Sequence, residues 1–177
     1  LKEKKLKEKV RLDKIKRLNK EKGEKKLENI FKNVAKEKLE LEKAKLDGKG
    51  KTKYIKIQLN KKKKLHLAEV QAFSNNINIS INKDTEQSST YSTGKSSIAV
   101  NGNTKGDSVE KVTFTNNRNA WWEVDLNGYY DINKIIIHNR TDKYWDRLKY
   151  ANLMLLDGDK NILFETTLQG IKEPQTI

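Results

Sequence analysis

Hydrophobic and polar positions divide the chain into two materials. Over residues 1–47 apolar residues recur at Leu6, Val10, Leu18, Leu27, Ile30, Val34 and Leu41, mostly three, four or seven apart, on a background of Lys and Glu. That spacing predicts helix, and Lys, Glu and Leu are good helix formers, with Gly23 the one glycine and no proline to interrupt them. The stripe is narrow, and Glu37 stands where a heptad wants an apolar residue. The segment therefore reads either as a coiled-coil arm or as a solvated helix laced by i, i+4 charge pairs.

From about Lys53 the period changes to two. Ile55, Ile57 and Leu59 alternate with Lys56 and Gln58, and Trp122, Val124 and Leu126 alternate with Trp121, Glu123 and Asp125. Each run predicts a half-buried strand. Asn127-Gly128 reads as the turn that ends the second, and Ile135-Ile136-Ile137 as a strand covered on both faces. The expected organisation is a helical arm over 1–47, a Gly/Lys linker over 48–53 and a mainly β, antiparallel sandwich over 54–177. Lys61 to Lys64 is expected to top an exposed hairpin turn between the strands on either side of it.

Charge follows the same division. Residues 1–53 carry 21 basic and 10 acidic side chains, whereas 54–177 carry 17 and 14, so the basicity belongs to the arm. Clustered lysine attracts polyanions without sequence choice, but its alternation with Glu favours a solvated helix, and no specific nucleic-acid partner is expected. No apolar run approaches the roughly twenty residues of a membrane span. The chain starts at Leu1 without a signal peptide, so it reads as a piece whose targeting segment lies elsewhere. Zero cysteines exclude disulfides and thiolate metal sites.

The Ile strand ends abruptly in polar residues. Asn139 to Arg147 is therefore a loop carried by a core strand, the kind of place where a rigid scaffold presents binding groups. Arg140 and Arg147 offer planar forks of donors, Asp142 can orient one fork and accept a hydroxyl proton, and Tyr144 and Trp145 offer apolar faces between them. Such a set can meet both sides of one sugar ring. The bland alternative is an Arg–Asp pair that pins the loop. His138 ends the Ile strand beside Arg140 and could reach the same pocket, whereas His66, in a strand block, reads as a packed or edge histidine.

Several separated blocks resemble the discoidin, or F5/8 type C, superfamily, and more narrowly the fucose-binding F-type lectins. They are Tyr54 to Leu59, Leu65-His66-Leu67-Ala68-Glu69-Val70, Gln87 to Tyr91, Ala99 to Thr104, Trp121 to Leu126, and Asn139 to Arg147. The resemblance implies a small antiparallel jelly-roll-like sandwich and calcium-supported recognition of fucosylated glycans. Its sugar motif, a histidine followed by Arg-x-Asp and a second basic residue, falls on Arg140, Asp142 and Arg147. At the histidine's expected place the chain has Thr113 and Phe114, and Lys143-Tyr144 replace the adjacent cysteines of the family. The implied calcium ligands are Glu69, Asn101, Asn103 and the carbonyls near Ile98 and Ala68. For the Asn101-Gly102 loop a metal-free Asx turn is the competing reading.

In the resemblance the block from Tyr54 to Phe73 belongs at the end of the domain, yet here it comes first. Either the domain is circularly permuted, with 54–74 as its terminal strand pair, or this is the tail of an upstream repeat. With two histidines, no cysteine and no Gly-rich phosphate loop, an enzyme is not expected. Asn78-Ile79-Ser80 and Asn139-Arg140-Thr141 are glycosylation sequons and read as incidental in an Asn-rich chain. The sequence thus predicts a non-enzymatic glycan-binding module, extracellular or on a cell or virion surface, on an arm suited to homo-oligomerisation. The alternatives are a discoidin-like domain binding protein or lipid head groups, and a basic arm gripping polyanions.

Overall fold

The computed structural model describes residues 2–60, 62–116 and 119–177, and in the helix it leaves aside the side chains of 2–10, 13, 15, 17, 18, 41, 42 and 44–47. Two compact units result, 1–47 and 48–177. The first is a single helix, α1 (Lys2–Asp47), unbroken at Gly23. Its ion pairs are the expected one-turn pairs, among them Lys32–Glu28 at 2.8 Å. Leu27, Ile30, Phe31 and Val34, one face of two turns, are all about half exposed or more. Leu6, Val10, Leu18 and Leu41 of the expected stripe lie outside the described side chains, as Lys61 lies outside the described residues.

The second unit is a sandwich of two antiparallel sheets. Its strands are β1 (Thr52–Leu59), β2 (Glu69–Ser74), β3 (Ile77–Asn78), β4 (Asp84–Gln87), β5 (Trp121–Tyr130), β6 (Lys134–His138), β7 (Ala151–Leu156), β8 (Ile162–Thr167) and β9 (Gln175–Thr176). One sheet runs β4-β5-β1-β7-β8 and the other β3-β2-β6-β9. Alternation places Ile55, Ile57 and Leu59 of β1, Trp122, Val124 and Leu126 of β5, and Ile135 and Ile137 of β6 in one core between the sheets. Trp122 is fully buried, and its indole N–H donates to the Ser96 carbonyl at 2.9 Å, so its polar edge is satisfied.

Several expectations change. β1 starts at Thr52, inside the segment read as linker. β1 and β2 are not a hairpin or a strand pair: β1 lies between β5 and β7, and β2 belongs to the opposite sheet, so Lys62 to Lys64 lie in a connection between the two sheets. The reason is that both strands carry core-facing residues, and each layer needs its own. β5 does not stop at Asn127-Gly128 but continues to Tyr130. Asn127 adopts φ 54°, and the β1–β5 register shifts between Thr52 and Tyr54, so the pair acts as an irregularity within the ladder. Ile136, between buried Ile135 and Ile137, is only half-buried on the outer face.

Candidate functional site

The loop after β6 is anchored from inside. Asn139, 2 % exposed, donates its amide to the carbonyls of Trp145 (2.8 Å) and Ile171 (2.7 Å) and accepts from the Arg140 N–H (2.8 Å). Behind it the Thr141 N–H donates to the Gly106 carbonyl at 2.9 Å. A Cβ at Gly106 would lie 2.3 Å from the Asn139 carbonyl oxygen, so only glycine permits this approach.

On that anchor Arg140 is held as a fork. Its Nε and Nη2 donate to the two oxygens of Asp142 at 2.7 and 2.6 Å, while buried Nη1 has no partner. Burial raises the Asp142 carboxyl, but the hydrogen bonds from Arg140 and from the Tyr144 N–H outweigh it and hold the group below its ordinary value. The Tyr144 ring lies under both guanidinium groups, 4.9 Å from Arg140 and 4.1 Å from Arg147.

The opposite wall comes from two segments distant from the loop in sequence. Residues 65–67 pair with 113–115: the N–H groups of Leu65 and Leu67 donate to the hydroxyls of Thr115 (2.8 Å) and Thr113 (3.0 Å), and the backbone bonds back. Leu65 and Leu67 enter the core, so His66 between them faces the other way, edge-on to Phe114 with ring centres 4.3 Å apart. Its Nε2 sits 3.4 Å from Arg147 Nη1, and its buried Nδ1 has no partner. Burial, followed by the charges of Arg140 and Arg147, lowers its pKa from 6.5 to about 3, so the ring is neutral at physiological pH. Facing a guanidinium donor, Nε2 acts as the acceptor, which leaves the proton on Nδ1. Tyr91 packs on Phe114 at 4.8 Å, and Lys64 lies over both rings.

The structure thus brings together Arg140, Asp142, Tyr144 and Arg147, and adds His66, which sequence reasoning had set aside. Alternation was the available signal: a polar residue between two core leucines must face away from the core. His138 does not join them. Its Nε2 lies 3.3 Å from Gln71 Oε1 on the outer face of the four-stranded sheet, and burial lowers its pKa. Trp145 also lies apart, lining a separate hollow with Lys149, Tyr150 and Gln169.

The residues assigned to calcium surround a different loop. Fully buried Glu69 accepts from the Gly102 N–H at 3.1 Å through Oε1, and its Oε2 is buried without a partner. Burial raises its pKa from 4.5 to about 7, against the N–H groups of Gly102 and Asn101. Asn101 Oδ1 accepts from the Asn103 N–H at 2.8 Å, and Asn103 Oδ1 from the Lys105 N–H at 3.1 Å, both Asx turns. The Ile98 carbonyl accepts from the Asn101 N–H, while the Ala68 N–H donates to the His138 carbonyl. Among the described residues no three His, Cys, Asp or Glu side chains cluster as metal ligands. The buried carboxylate oxygen without a partner is the one feature here of the kind a hard cation seeks.

The second unit is thus an antiparallel sandwich that carries a polar cluster on the loop after a core strand. Residues 98–170 match the F5/8 type C family, described as NedA-like, galactose-binding domain. Among solved structures, a fucose-binding module of Streptococcus pneumoniae, SpX-3, is 35 % identical with a TM-score of 0.54, over 57 % of this chain and 76 % of that one. No curated protein matches the chain significantly. The chain belongs to the F5/8 type C family.

Proposed function

We propose that the sandwich binds a terminal sugar of a glycan, fucose or one of like hydroxyl display, at the cluster of His66, Arg140, Asp142, Tyr144 and Arg147. One observation carries this reading: Arg140 is locked by Asp142 yet leaves Nη1 unsatisfied beside Arg147 and a neutral imidazole whose Nδ1 is also unsatisfied. A loop brace alone needs neither of those spare donors. A sugar oxygen that enters as these side chains part, both donor atoms being buried without it, supplies the missing acceptors, and Tyr144 supplies an apolar face. The likeness to a fucose-binding module supports the same sugar class. The imidazole is held neutral first by burial and then by the charges of Arg140 and Arg147, which suits a hydrogen-bonding role toward a bound sugar.

Calcium at Glu69, with the amide oxygens of Asn101 and Asn103 and the carbonyls of Ile98 and Ala68 nearby, would complete the buried carboxylate and stiffen the Asn101–Asn103 loop. The arm, with its exposed apolar face, gathers several copies, and avidity makes a shallow sugar site effective for attachment at a cell or virion surface. No described helix is long and apolar enough to cross a membrane.

Calorimetry with L-fucose and a glycan array, both in calcium, test the reading on the intact chain and on an Arg140→Ala, Arg147→Ala variant. Each lost charged hydrogen bond is expected to cost about 1.5–3 kcal/mol, enough to erase binding in the double variant. His66→Ala is expected to weaken binding about tenfold through the lost donor. A folded wild-type protein that binds no glycan would overturn the proposal.

A further inference from the structure

We propose that the bound glycan is acidic, its anionic group, a sulfate ester or a carboxylate, being held by Arg147, Lys64 and Lys143. This rests on the glycan reading above and narrows it. A continuous row of contacts joins the three cations. The Lys64 ammonium lies 5.2 Å from the centre of the Phe114 ring, and Phe114 meets His66 edge-on at 4.3 Å. His66 Nε2 sits 3.4 Å from Arg147 Nη1, and the Tyr144 ring lies 4.1 Å from the Arg147 guanidinium and 5.2 Å from the Lys143 ammonium.

Charge accounting selects the ligand. The carboxylates of the loop are already matched: Asp142 takes both donors of the Arg140 fork at 2.7 and 2.6 Å, and Asp146 pairs with Lys63 at 2.9 Å. Among the described residues no ion pair includes Lys64, Lys143 or Arg147. Their ring contacts, with Lys64 also 4.7 Å from the Tyr91 ring, fix where these cations stand, but a ring quadrupole cancels no net charge. Residues 54–177 carry 17 basic and 14 acidic side chains, so three unmatched cations in one row are a concentration of charge and not the background of the sandwich. His66 registers the excess: after burial, the charges of Arg140, Arg147 and Lys64 lower its pKa against that of Asp142.

The donors suit an oxyanion. His66 is the one hydrogen-bond partner of the Arg147 guanidinium among the described residues, so the rest of its planar fork is open to a bidentate acceptor. Arg147 and Lys64 are half-buried and have lost part of their water without gaining a counter-ion, whereas Lys143 is exposed. A neutral sugar would satisfy the spare donors of Arg140 and His66 and leave this row unmatched. A sulfate or carboxylate on the same glycan matches it.

Calorimetry on the full chain tests this with methyl α-L-fucoside and its three monosulfate esters, and with a fucosyl-lactose trisaccharide with and without a terminal sialic acid. A single charge per ligand keeps the lysine-rich arm, which attracts polyanions, from dominating the comparison. At low ionic strength at least one charged form should bind about five- to twentyfold more tightly than its neutral parent, and salt should erase that advantage. A gain confined to the esters assigns the row to sulfate, and one confined to the sialylated form assigns it to carboxylate. Lys64→Gln and Lys143→Gln should each reduce the advantage and leave affinity for the neutral parents unchanged. No gain from any charged form, a gain that both variants leave intact, or free inorganic sulfate binding as tightly as the esters would each overturn the acidic reading, while the neutral parents report the sugar site separately. Binding of none of these ligands would overturn both.

Discussion

Two buried titratable side chains, His66 and Glu69, stand three residues apart and act on stability in opposite directions. His66 falls from 6.5 to about 3 on folding, so between those values the unfolded chain binds the extra proton and stability rises with pH. Glu69 rises from 4.5 to about 7, so the folded chain binds the extra proton there, and its contribution is full below 4.5 and lost as pH climbs through 7. Over the shared window the two slopes oppose each other. Glu69→Gln removes one of them, and without calcium its urea-unfolding free energy should keep increasing between 4.5 and 6.5, where wild type flattens. Calcium should raise wild-type stability at pH 8 and leave the variant unmoved. The same residues show what the sequence displayed of the site. Arg140, Asp142 and Arg147 share one loop and were legible from spacing. His66 was not, because its place depends on residues 65–67 pairing with 113–115, a long-range event that no local pattern records. Tyr144 and Trp145 were read together, but adjacent residues at the start of a 3-10 turn leave it in different directions.

At the level of elements, β1 is the middle strand of the five-stranded sheet. Its alternation marked it as a strand, and its position between β5 and β7 makes it central to its own sheet. That neighbourhood could not be read from the sequence, since the pattern gives a face and not a partner. Truncating Ile57→Ala, fully buried on β1, should cost about 2–5 kcal/mol in urea denaturation. Ile162→Ala on β8, 55 % exposed at the sheet edge, should stay within about 0.5 kcal/mol. The reverse order would place the core elsewhere. β5 shows how a local signal can mislead: Asn127-Gly128 has turn composition, yet flanking pairing carries the strand through it.

For the whole molecule, two units with different physics share one chain. The sandwich buries its apolar residues in a single core, whereas α1 leaves Leu27, Ile30, Phe31 and Val34 open over the turns where they align. In proteins most helical stability comes from tertiary packing of an apolar face, and this face of α1 is exposed. Sedimentation of the intact chain should therefore show self-association that Ile30→Glu abolishes, with sugar binding per site unchanged and retention on a densely glycosylated surface reduced. A monomeric wild type would assign the arm to a solvated spacer. The charge division fits either role, since its lysines alternate with glutamates as one-turn pairs and leave the sandwich only mildly basic.

The amide nitrogen of Asn139 has a further consequence. It is the atom that an oligosaccharyltransferase would modify in Asn139-Arg140-Thr141, and in the folded domain it already donates to two carbonyls from a site with 2 % exposure. A glycan attached there during synthesis and the closed loop are mutually exclusive. In a glycosylating secretory pathway, carbohydrate on this domain would displace the anchor of the loop that we propose recognises carbohydrate.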